Sequence, residues 1–168
     1  MENKYILKSI LLIGIGVASR LIPHPANFTA ITGIAIFSGN ALIHVSAMII
    51  SDLTIGFDSL PMRLAVYGSI LAAVWIGKIA RRKSSFLTIG KASFVSSLVF
   101  FVVTNFAVWK FGSMYSRGID GLLTSYVLAL PFFKNAILGD FFFTGMLFGV
   151  QKLSAFNTFG LSVLKRRV

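Results

Sequence analysis

The sequence predicts an all-α fold, a polytopic membrane bundle of about six helices with both termini cytoplasmic. Three observations carry that expectation. Hydrophobic residues make up 56% of the 168 positions, and mean hydropathy is +0.85. Charged residues are only 12% of the chain, against about 25% in soluble domains. The apolar residues fall into successive runs separated by short polar connections, and a bilayer core needs roughly 20 such residues per helix. The length therefore accommodates a single integral membrane domain over residues 1–168, with no separate soluble one.

The first run, Tyr5 to Leu21, follows a basic start and resembles a secretory signal peptide. No small-x-small cleavage site precedes a soluble sequence, so it reads as a retained first span. Gly14 and Ala18 lie four apart with Gly16 between them. That spacing leaves one helix face smooth enough for another helix to dock.

Next comes Arg20-Leu-Ile-Pro-His-Pro-Ala-Asn-Phe-Thr29, with two prolines, a cation, a histidine, an amide and a hydroxyl in ten residues. Pro23 and Pro25 hold Ile22 and His24 extended and remove two amide donors. Stiff, polar, non-helical backbone between membrane runs is a place to expect a binding surface. Phe28 to Ser38 is apolar but short and is closed by Gly39-Asn40. It reads either as a short or tilted span or as a re-entrant segment. A third run covers Ala41 to Phe57 and contains Asp52, a carboxylate that at such depth must face the interior or water and find a partner.

Pro61 suits the start of a helix, and the fourth run follows from Leu64 to Ala80. The fifth spans Ala92 to Trp109 and ends in Thr104-Asn-Phe-Ala-Val-Trp. Trp109 also suits an interfacial aromatic belt. Between Lys110 and Lys134 lies an apolar piece, Gly121 to Leu130, too short to span and closed by Pro131. An interfacial helix lying over the bundle mouth is expected there. The sixth run, Asn135 to Val150, carries Asp140 and Phe141-Phe142-Phe143.

With six spans and both termini inside, Lys4, Lys8, Lys78, Arg81, Arg82, Lys83, Lys91, Lys152, Lys165, Arg166 and Arg167 are cytoplasmic. Arg20, Arg63, Lys110, Arg117 and Lys134 are outside. Basic residues gather in cytoplasmic loops, so the bias supports this orientation. It also accounts for the net charge of +11 without nucleic acid as a partner. The lipid bilayer is the partner that composition requires. In the same orientation Arg20–Thr29, Asp52, Asn105, Trp109, Tyr115, Asn135 and Asp140 all fall in the outer half. Candidate substrate-binding residues are therefore Arg20, His24, Asn27, Thr29, Asp52, Asn105, Trp109, Tyr115, Asn135 and Asp140.

An Arg20–Asp52 or Arg20–Asp140 pair would lower the cost of both charges, whether it locks helices or coordinates a solute. His24 reads either as a hydrogen-bonded loop histidine or as a ligand to a solute or metal. Tyr115 and Tyr126 could stack on a flat solute. No metal pair, no cofactor site and no catalytic set is expected. Cysteine is absent, as are a paired-histidine metal motif and Gly-x-Ser-x-Gly. An enzyme is therefore not expected.

The segments 20–29, Ser51-Asp-Leu-Thr-Ile-Gly-Phe57, Thr104–Trp109, Ala129–Asn135 and Gly139-Asp140 resemble a family of small bacterial membrane proteins of unknown function. Ala26 stands where that pattern commonly has a proline. The family is in turn similar to the substrate-binding S components of energy-coupling-factor vitamin transporters. That likeness implies a six-helix subunit of the inner (cytoplasmic) membrane. Such a subunit captures a vitamin-like or micronutrient solute in an outward pocket for uptake. It further implies a transmembrane coupling subunit docked on the Gly14/Ala18 face, in place of that family's usual alanine pair. Separate ATPase subunits would drive transport, since this chain has no P-loop. The alternative is a structural or assembly protein whose buried charges only fix the packing.

Overall fold

The computed structural model describes residues 2–83 and 85–165. Within them the chain forms α1 (Glu2–Leu21), α2 (Ile31–Ser38), α3 (Ala41–Ile55), α4 (Leu60–Ala80), α5 (Phe86–Phe111) and α6 (Ile119–Lys165). The expected cytoplasmic residues Arg166 and Arg167 lie outside the described residues, as does the Lys165 side chain. Helix starts follow local chemistry. The Asn40 side chain accepts from Leu42 N–H at 2.9 Å and the Ser85 side chain from Thr88 N–H at 3.1 Å, each satisfying an orphan donor of a first turn. Pro61 sits in the first turn of α4.

Successive described helices alternate in direction along the chain. Tyr5 near the start of α1 accepts from Asn40 just before α3 (3.0 Å). At their other ends Arg20 meets Asp52, so α1 and α3 are parallel. Helix α2 descends between them, from Ala30, whose N–H donates to the Ser19 hydroxyl at 3.0 Å. It ends beside Arg81, which donates to the Phe37 and Ser38 carbonyls at 3.0 and 2.7 Å. Helices α4, α5 and α6 then alternate in direction.

Helix α2 is the hub. Ile31 to Phe37 are all buried, and α2 packs on α4, α5 and α6 as well as on α1 and α3. Eight residues reach only about 12 Å, against a hydrocarbon core of roughly 30 Å. Alone it is therefore too short to span such a core. Close packing here depends on missing side chains. A Cβ on Gly77 of α4 would lie 2.5 Å from the Ile36 Cα, and one on Gly139 of α6 3.0 Å from the Phe28 Cα.

Three helices are long and apolar enough to cross a membrane: α4, α5 and residues 119–154 of α6. The last overturns an expectation. No separate interfacial helix covers 121–130; α6 runs straight through Pro131. Proline removes one helical donor and crowds the preceding turn, yet membrane helices tolerate it where neighbours support the backbone. Here α5 supplies that support on both sides of the proline. The Tyr126 hydroxyl donates to the Val102 carbonyl (2.9 Å), and Phe133 stacks on Phe101 with centroids 4.4 Å apart.

Candidate functional site

The Pro23–Ala30 segment is fixed at one end of the bundle by local chemistry. Phe28 N–H donates to the Pro25 carbonyl at 2.9 Å, closing a turn. Asn27 occupies the left-handed region (φ 66°), which asparagine tolerates better than most residues. The Phe28 ring sits 5.9 and 5.7 Å from those of Phe142 and Phe143, and Gly139 lets the backbone approach α6. The polar segment thus lies over the bundle instead of projecting from it.

Beneath it are two buried carboxylates with different surroundings. Asp52 pairs with Arg20 at 2.6 Å and accepts from the Tyr67 hydroxyl at 2.7 Å. Arg20 Nη1 also donates to Ser51 Oγ (2.5 Å) and to the Met48 carbonyl (3.3 Å). The whole cluster ties α1, α3 and α4 together and carries no net charge. Asp140, only 4% exposed, accepts from the Ser97 hydroxyl at 2.6 Å and from the Thr32 side chain. Among the described residues no basic side chain lies within ion-pair distance of it.

Between these clusters is a cavity of about 300 Å³, whose walls include Arg20, His24, Asn27, Thr29, Thr32 and Asp140. A second cavity of about 220 Å³ shares Asn27, Val66, Phe100 and Ala136 with the first. It continues past Phe101 and Phe133 to Thr104 and Asn105. Asn105 Nδ2 donates to the Phe101 carbonyl at 2.7 Å, which leaves its Oδ1 available as an acceptor. The two cavities adjoin at the shared residues, the first lobe carrying the charged side chains and the second the aromatic ones.

Of the residues singled out in the sequence, Arg20, His24, Asn27, Thr29 and Asp140 line the first lobe, and Asn27 and Asn105 the second. Asp52 acts through Arg20. Trp109, Tyr115 and Asn135 line neither cavity. Trp109 Nε1 instead donates to the Ser116 carbonyl (3.2 Å), and Arg117 donates to the Trp109 and Lys110 carbonyls. Both contacts knit the α5–α6 connection to the end of α5. His24 Nδ1 lies 2.8 Å from the Pro25 carbonyl. Gly14 and Ala18 are exposed, in line with Leu7, Leu11 and Leu21 on one face of α1. Gly16 points the other way, against Ala47 and Ile31. Among the described residues no three His, Asp or Glu side chains converge as a metal site would require.

Sequence reasoning missed Tyr67, Thr32 and Ser97, the hydroxyls that hold the two carboxylates, and Ser51, which accepts from Arg20. A signal was present for one of them. Ser93, Ser96 and Ser97 recur at i, i+3 and i+4 on α5, one inward face, and all three are buried.

Compared with known proteins, the chain matches a family of unknown function (DUF6580) over residues 1–161 and belongs to that family. No curated protein and no solved structure matches it.

Proposed function

We propose that this protein is a membrane-embedded solute-binding subunit that captures a small vitamin-like or micronutrient solute on the outer face of the inner (cytoplasmic) membrane. The observation that carries the reading is the pair of adjoining cavities beneath Pro23–Ala30. All six helices and the connecting segment contribute to the walls of the first, and the pair combines few polar groups with apolar surface. Concave, mostly apolar sites with a few convergent polar groups are the usual form of small-molecule pockets. The distribution of basic residues supports an outward orientation for this end.

The exposed Gly14/Ala18 face of α1 is suited to a transmembrane coupling subunit, as the resemblance of the sequence motifs to S components implies. ATPase subunits would supply the energy. The Arg20–Asp52–Tyr67 cluster favours a second reading, a structural or assembly protein, because its charges already compensate each other and join three helices.

Thermal stability of the detergent-purified protein against vitamins, nucleobases and their precursors separates the two. A solute at one hundred times its dissociation constant stabilises by about 2.7 kcal/mol. Such a shift for one solute class supports capture; a flat response across the library supports the structural reading.

A further inference from the structure

We infer that the captured solute is an organic cation, a protonated amine carrying a flat ring, with its charge seated at Asp140. This rests on the solute-capture reading and names its substrate class. The charge balance of the cavity points to it. Arg20 faces the cavity, but its ion pair and its hydrogen bonds all run through Nη1 to Asp52, Ser51 and Met48. The Arg20–Asp52 pair therefore contributes no net charge. Asp140 is different: its partners are the hydroxyls of Ser97 and Thr32. Hydroxyls donate hydrogen bonds but bring no countercharge. A carboxylate buried at membrane depth is costly without one, and a cation entering the cavity supplies it.

The shape specifies the rest of the molecule. Ala136 and Phe100 border both lobes, so the second, where Phe101 and Phe133 stand stacked, adjoins the one that holds Asp140. A ring attached to the charged group reaches that lobe and packs among aromatic faces, which also favour a nearby cation. Asn105 at the far end offers an acceptor to a polar substituent on the ring. An anionic solute would have to place its charge in a cavity that already holds the Asp140 carboxylate, while the Arg20 charge is balanced by Asp52.

Three probes of matched shape test the class on the full-length purified chain: phenethylamine, 2-phenylethanol and phenylacetate. Titration calorimetry at neutral pH should give phenethylamine a dissociation constant about tenfold or more below that of 2-phenylethanol, with phenylacetate weakest. Asp140→Asn should abolish that ranking, and the wild-type ranking stands even if this variant folds poorly. Binding of the alcohol or the acid as tightly as the amine overturns the cation assignment and leaves solute capture intact. So does an unchanged preference in a folded Asp140→Asn protein, or a neutral or anionic library solute that binds where phenethylamine does not. Silence from all three probes and the whole library overturns both.

Discussion

Asp52 and Asp140 are buried in one bundle, but among the described residues only Asp52 has a countercharge, and only Asp140 lines the cavity itself. Asp52 lies beside Arg20 with Tyr67 on its second oxygen, and its surroundings are complete. Asp140 is held by two hydroxyls, and among the described residues no countercharge stands beside it. A closed ion pair fixes helices relative to each other; a carboxylate with neutral partners is costly to the fold and is kept where it serves binding. The contrast gives the first cluster a stabilising role and, under the proposed function, leaves recognition to the second.

Breaking the pair should have the largest effect. Arg20→Met leaves Asp52 buried and uncompensated, a loss of about 3–5 kcal/mol, measurable as a lower denaturation midpoint in detergent. Adding Asp52→Asn should recover most of it. Recovery failure would mean that Arg20 stabilises by packing and not by charge. Asp140→Asn sharpens the other side. It should weaken binding of a cationic solute about tenfold, equivalent to about 1.4 kcal/mol. Thermal stability should be unchanged or raised, since an uncompensated buried charge has been removed. Tyr67→Phe deletes one hydrogen bond to a charged acceptor and should cost about 1.5 kcal/mol of stability without altering solute affinity. Asn135→Ala, outside both lobes, should change stability by no more than about 0.5 kcal/mol and leave binding as it was.

Much of the architecture was legible from hydropathy. The run Ala41–Phe57 became α3 with the same first residue, and Leu64–Ala80 became α4 with the same last one. What hydropathy could not show is that α6 continues through Pro131, because the decision lies in ring packing against α5. Helical geometry explains the split among the candidate site residues. Asn135 and Asp140 are five residues apart, about 140° around a helix, so α6 cannot turn both into the cavity. Trp109 lies at the end of α5 and is drawn to the Ser116 carbonyl. The hydroxyls were hidden for another reason. Serine and threonine are common within membrane runs, and only their pairing across helices distinguishes them from their neighbours.

The most direct test of an outward-opening solute cavity uses the absence of cysteine from the chain. His24 is exposed and lines the first lobe, whereas Ser38 lies at the opposite end beside Arg81. A membrane-impermeant maleimide added to intact cells should label His24→Cys, and phenethylamine should slow that labelling while phenylacetate does not. Ser38→Cys should react only after permeabilisation. Labelling of Ser38→Cys from outside with His24→Cys protected in intact cells would place the cavity on the cytoplasmic side and contradict the account.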